Sequence, residues 1–148
     1  MLKGLFGQKP PPPEKTPPVT PQVLAGLLVE AARSDGHYPA AEKGLIDRAI
    51  ALAFNIELTR ASDYRTAAEE ADGMSDDARK FARLAQGFSD EQRNAIIQSL
   101  WRVVLADREN DYWESAFMKR AARTLGVSES DSRRALKEVE RALKRKRR

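Results

Sequence analysis

The stretch Ser34-Asp35-Gly36-His37-Tyr38-Pro39-Ala40-Ala41-Glu42 recurs later in the chain as Ala106-Asp107-Arg108-Glu109-Asn110-Asp111-Tyr112-Trp113-Glu114. Each copy has an aspartate at its first acidic position and a glutamate seven residues on. Each follows one apolar helical stretch and precedes another. The copies stand 72 positions apart (107 − 35 and 114 − 42), and the flanks keep that offset. Leu24 aligns with Ile96, Leu28 with Leu100, Ala31 with Val103, Leu45 with Phe117, Ile46 with Met118 and Ala49 with Ala121. Register slips by one residue near Phe54 and Leu125. A helix–acidic loop–helix unit used twice predicts an all-α chain: a single compact bundle of about seven helices with an internal pseudo-twofold repeat.

The remaining helices follow from local signals on either side. Thr20-Pro21 offers a capping hydroxyl followed by proline at the first turn. Leu24, Leu27, Leu28 and Ala31 then recur at helical spacing, and Gly36 supplies a left-handed stop. Pro39 fits the start of a second helix ending near Asn55. A third, weakly patterned helix is expected over about 59–71, broken by Asp72-Gly73. Ser75 is the expected cap of a short fourth helix carrying Phe81 and Leu84. Ser89 with Gln92 forms a capping box opening the fifth, and Asp111 with Glu114 repeats that pattern for the sixth. Gly126 ends the sixth, and Ser128 with Asp131 caps the last. No stretch alternates with period two, so no sheet is expected.

Composition agrees with this plan. The chain has 148 residues, 41% apolar and 32% charged, which fits one helical domain with solvated faces. Repeated proline over 8–21 favours an extended backbone, so residues 1–19 are expected to form a disordered Pro-rich arm and 20–140 the helical domain. The formal charge of +4 is local: residues 141–148 carry six bases and no acid, which leaves 20 bases against 22 acids in the rest. That segment is expected to be a basic C-terminal helix end or tail. With no cysteine, disulfides and thiolate chemistry are excluded. No apolar run approaches membrane-spanning length, and Met1-Leu2-Lys3-Gly4-Leu5-Phe6 is too short for a signal-peptide core; a cytoplasmic location is expected.

The acidic loops carry the chemistry. Mg²⁺ and Ca²⁺ take carboxylate and carbonyl oxygens. A carboxylate in the first turn of a helix is also favoured by the helix dipole. Pairing the loops would gather Asp35, Glu42, Asp107 and Glu114, with Glu109 and Asp111 added by the second loop. The second loop is not an EF-hand, because its sixth-position glycine and twelve-residue span are missing. The alternative is that these acids are helix caps and solvated loop residues. His37 allows a transition metal such as Zn²⁺, but Glu109 holds the matching position, and a solvated loop histidine is the better reading. The expected ion is therefore divalent, Ca²⁺ or Mg²⁺ ahead of Zn²⁺. Trp101 and Trp113 read as packing residues, and Arg79, Arg83, Arg93 and Arg102 as partners in surface ion pairs.

These residues resemble the TerB-like family, the tellurite-resistance-associated proteins whose domain is shared with the N-terminal region of DjlA co-chaperones. The resemblance rests on Ser34-Asp35-Gly36 with Glu42, Ala106-Asp107 with Glu114, Leu100-Trp101, and Ser89 to Arg93, and it covers roughly residues 22–127. It implies an all-α fold and metal-binding acids at Asp35, Glu42, Asp107 and Glu114. It further implies a role in tellurite, metal or stress responses, near the inner membrane face; an unidentified protein partner is a separate expectation. The chain departs from the pattern at Arg108, which replaces the second glycine and puts a positive side chain where a left-handed turn is expected. There is no His-Pro-Asp signature, so co-chaperone activity is not carried over.

Three functions compete. The first is a non-enzymatic, cation-binding helical module. The second is nucleic-acid or anionic-membrane binding through Lys144, Arg145, Lys146, Arg147 and Arg148. No aromatics interleave with those bases and no recognition helix is evident, which disfavours nucleic acid. The third is metal-assisted phosphoester hydrolysis. It lacks a nucleophile constellation and a phosphate-cradling glycine loop, so no enzymatic activity is expected. A protein-interaction module without metal is the remaining alternative.

Overall fold

Helix α1, Pro21–Arg33, starts where the sequence places it, with the Val23 N–H donating to Thr20 Oγ1 at 3.1 Å. The computed structural model describes residues 16–106 and 112–146, apart from the side chains of Tyr112 and Trp113. Residues 1–15 of the expected arm, the loop acids Asp107, Glu109 and Asp111, Arg108, the Trp113 side chain, and Arg147 and Arg148 lie outside the described residues.

The other helices are α2 (Ala40–Phe54), α3 (Leu58–Met74), α4 (Lys80–Ala85), α5 (Asp90–Ala106), α6 (Tyr112–Leu125) and α7 (Glu129–Lys146). The described chain is thus an all-α bundle of seven helices. Helix α1 is its axis. Residues Leu24 to Ala32 are all buried, so this helix is covered on every side rather than along one stripe. It packs against α2, α3, α4 and α6. Small residues make this possible. At Gly26 the Phe81 ring lies where a side chain would stand, with an added Cβ only 2.2 Å from Phe81 Cζ. Leu27 and Leu28 are completely buried, and truncating either to alanine would remove about 3 kcal/mol of stability.

The local stops fall as read. Gly36 and Gly126 have φ of 84° and 74°, and Asn55 ends α2 in the left-handed region at φ 53°. The Ser89–Gln92 box closes reciprocally at 2.8 and 3.1 Å, and the Asp131 N–H donates to Ser128 Oγ at 3.0 Å. Trp101 is half-buried, and its indole N–H bridges α5 to α7 at the Ser132 carbonyl, 3.0 Å away. Helix α7 continues without a break to Lys146, so Lys144, Arg145 and Lys146 form an exposed helical last turn. Pro17 and Val19 lie against the bundle, the Pro17 carbonyl accepting from Gln92 Nε2 at 3.0 Å.

Two boundaries differ from expectation. Helix α3 does not break at Asp72-Gly73 but runs to Met74. The Arg33 guanidinium explains this: it binds Asp72 Oδ2 at 2.6 Å and the Glu69 carbonyl at 3.3 Å, holding the last turn to α1. Only Ala61 of α3 is buried, so polar contacts do much of the fastening. Arg65 is central to them, reaching Asp47 Oδ1 at 2.6 Å and Glu69 Oε2 at 2.7 Å. Ser75 caps no helix; its hydroxyl accepts from the Asp77 N–H at 3.1 Å in a turn, and α4 begins only at Lys80. The free N–H groups of Phe81 and Ala82 at the α4 start are taken by Glu30 of α1, at 2.8 and 2.7 Å.

Candidate metal centre

The first acidic loop is tightly shaped. Ser34 Oγ donates to the Ala31 carbonyl at 2.7 Å, and the Gly36 N–H donates to the Arg33 carbonyl at 3.0 Å. The Asp35 side chain folds back on its own loop, Oδ1 accepting from the His37 N–H at 3.0 Å. That bond and the nearby Arg120 charge hold the Asp35 carboxyl below its usual range. Tyr38 pins the loop. Its ring lies between Arg33 and Lys43, 5.2 and 5.0 Å from the centroid, and its hydroxyl donates to Glu69. Burial and that hydrogen bond push the Tyr38 hydroxyl pKa well above its ordinary value. His37 itself is exposed.

Glu42 follows in the first turn of α2 and is only 4% exposed. Arg120 of α6 crosses to it. One guanidinium nitrogen lies 2.6 Å from Glu42 Oε2 and the other 3.1 Å from Asp35 Oδ2. Burial raises the Glu42 carboxyl pKa, against the lowering effect of Arg120. The second oxygen, Oε1, is buried and has no hydrogen-bond partner. A carboxylate oxygen left open in the interior is costly, and a cation could satisfy it.

Glu114 stands at the matching position of the second copy in the sequence. It lies in the first turn of α6 and is fully buried. Both expected glutamate ligands are therefore interior carboxylates at helix N-termini, which ordinary solvated caps are not. Among the described residues, no three metal-capable side chains converge. The donor set present is all oxygen and is buried at Glu42, and it fits a hard divalent cation.

Sequence reasoning missed two residues here. Arg120 is 8% exposed and falls among Phe117, Met118, Ala121 and Ala122, all buried. Glu30 is the one charged residue in the buried run from Leu24 to Ala32. A lone charge inside an apolar helical face was the available signal in both cases. Of the arginines read as surface partners, Arg83 pairs with Asp77, and Arg93 lies 3.8 Å from Asp90. Arg93 also donates to the Ala85 and Gln86 carbonyls, both at 3.1 Å. Away from this centre, a groove of about 840 Å³ is lined by Leu52, Val103, Leu143, Arg102 and Lys146.

The family described as Tellurite resistance protein TerB matches residues 22–137. The chain belongs to the TerB family. The match spans α1 to the first half of α7, so it takes in both acidic loops and every helix around them. No curated protein and no solved structure was found to match the chain. Among the described residues of this TerB-family protein, no helix is long and apolar enough to cross a membrane.

Proposed function

We propose that this TerB-family chain is a non-enzymatic module that binds one divalent cation between its two acidic loops and presents the ordered bundle to a protein partner. The buried, open Oε1 of Glu42 carries the reading. Glu42 and Glu114 would hold the ion from two helix starts. Asp35 and the second-loop acids Asp107, Glu109 and Asp111 would complete an oxygen shell of the kind Ca²⁺ or Mg²⁺ requires. The ion would neutralise interior carboxylates that otherwise disfavour the closed bundle.

The packing supports an exchange between halves. Helix α1 packs on α6 and α2 on α5, so the two copies of the sequence unit lie against each other rather than only on themselves. An ion shared by the loops would draw α2 and α6 together at their N-terminal ends, and α1 lies against both. Such a device senses or buffers an ion. The family match supports placing this module in tellurite or metal-stress responses, and a cytoplasmic setting near the inner membrane face is part of the same proposal.

The test is calorimetric titration of the metal-stripped protein with Ca²⁺, Mg²⁺, Mn²⁺ and Zn²⁺, beside a Glu42→Gln, Glu114→Gln variant. Saturable binding in the wild type that disappears in the variant is expected, with Ca²⁺ or Mg²⁺ ahead of Zn²⁺. Equal binding by the two proteins would reject the site. Absence of binding by any ion would reduce the acids to structural groups and shift attention to the groove beside Arg102 and Lys146.

A further inference from the structure

We infer that Arg120 is a built-in counter-cation of the first half-site, holding the seat that a divalent ion takes, so that ion binding is an exchange. This rests on the cation-binding reading above.

The guanidinium touches Asp35 Oδ2 and Glu42 Oε2 together, at 3.1 and 2.6 Å. Two carboxylates that converge on one cationic group define the place where a shared ion would sit. Asp35 and Glu42 cannot both ligate an ion through those oxygens while Arg120 stays between them. The pair is also incomplete. Glu42 Oε1 and Arg120 Nε are both buried and both lack a hydrogen-bond partner. A permanent buried ion pair earns its place by satisfying its remaining donors and acceptors. This one leaves an acceptor and a donor open, which lowers the barrier to replacing it.

The arrangement is also registered in the repeat. Arg120 follows Glu114 by six residues (120 − 114), and Arg48 follows Glu42 by the same six (48 − 42). The arginine belonging to the second unit crosses over to the glutamate of the first. The Arg120 side chain thereby ties helix α6 to the α1–α2 loop and to the first turn of α2 when no ion is present. Release of Arg120 would free that tie and expose a cation on α6. Ion occupancy would thus become a change of charge and contact on the surface between the two halves.

The exchange predicts an unusual sign. Removing a residue that touches a site ordinarily weakens binding. Here Arg120→Met should tighten it, because the ion no longer has to displace a competitor. We would titrate metal-stripped wild type, Arg120→Met and Arg120→Lys with Ca²⁺ and Mn²⁺ by calorimetry, and follow thermal unfolding with and without ion. The expected result is at least a tenfold gain in affinity for Arg120→Met. Arg120→Lys, which keeps a charge but cannot span both carboxylates, should fall between. The ion should raise the unfolding temperature more in Arg120→Met than in wild type. In wild type, hydrogen exchange at the Arg120 Nε should accelerate on ion addition.

Unchanged or weaker affinity in Arg120→Met, with wild type still binding, would overturn the exchange and leave the metal site standing. No ion binding by wild type or variants would remove both. If Arg120→Met does not fold without ion, Arg120→Lys decides: a gain over wild type upholds the exchange and equal affinity rejects it.

Discussion

Glu30 and Glu42 are the same residue in nearly the same depth of burial, 7% and 4% exposed, yet they do opposite things. Glu30 is closed. Its two oxygens accept from two backbone N–H groups, those of Phe81 and Ala82, at 2.8 and 2.7 Å. Glu42 is open, with one oxygen on Arg120 and the other on nothing. Burial raises both carboxyl pKa values, and in each case a specific partner works against that rise. For Glu30 the partner is backbone, fixed in number and position by the fold. For Glu42 it is a side chain that can leave. The buried acid satisfied by backbone is architecture, and the one satisfied by half keeps an oxygen open.

The sharpest way to break this contrast is to make the same change at both. Glu30→Gln replaces one acceptor by an NH₂ that must face a backbone N–H, losing a charge-assisted bond and leaving a buried donor unpaired. We expect a loss of about 3 kcal/mol in urea unfolding. Glu42→Gln keeps an oxygen for Arg120, which Asp35 still neutralises, but it loses the pair's charge and leaves an NH₂ unpaired, so its loss should be smaller, about 2 kcal/mol. Equal losses would mean that the open oxygen of Glu42 is not open in solution.

How much of this was written in the chain depends on distance along it. Helix starts at Thr20, Ser89 and Ser128 were legible because the donor and acceptor lie three residues apart. The helical stripes and the all-α class were legible for the same local reason. The end of α3 was not, because the group that carries the helix past Asp72-Gly73 is Arg33, 39 residues away. Nor was the start of α4, set by Glu30 at a separation of 51 residues. At the candidate centre, the acids could be named from spacing, but the burial of Glu42 and Glu114 at helix starts could not. The cation already holding two of the acids, Arg120, stands 78 residues from Glu42 and carries no local signal except its apolar neighbours.

The Glu30 side of the comparison is held together with a second residue on the same helical face, one turn earlier. Gly26 lets the Phe81 ring cross α1, and Glu30 then receives the Phe81 N–H. Gly26→Ala sets two effects against each other. Alanine favours the helix by about 1 kcal/mol over glycine. The added methyl must push the ring aside, since all three nearest ring atoms lie within 2.6 Å of its place, and overpacking of that kind costs about 1–3 kcal/mol. The net loss should be about 1 kcal/mol. Ion affinity should not move, because the Glu42 side of the bundle is untouched. A coupled change in ion binding would show that the two pockets are not separate.

The smallest expected effect is in the pH dependence of stability, where the closed acid can be set against one of the opposite sign. The Glu30 carboxyl is raised, by burial first and against the Phe81 and Ala82 N–H groups. The folded chain therefore holds that proton more tightly than the unfolded chain. Its contribution to stability is complete below the ordinary carboxylate value and is lost as pH rises through the folded value. Glu69 runs the other way. Burial would raise it, but the Tyr38 hydroxyl and Arg65 outweigh that and lower it. Its contribution is present above the ordinary value and is lost as pH falls through the lowered one. The stability of the ion-free protein should therefore climb out of acid as Glu69 ionises and then sag as Glu30 ionises. Urea midpoints measured from about pH 3 to 7 should show the sag diminished in Glu30→Gln and the acid climb diminished in Glu69→Gln. The Glu30 effect should persist unchanged at saturating ion, because its partners are backbone groups on α4 rather than a seat the ion can take. A Glu30→Gln profile parallel to wild type would mean that the carboxyl is ionised as readily inside α1 as in the unfolded chain, and the distinction between the closed and the open glutamate would then rest on hydrogen bonding alone.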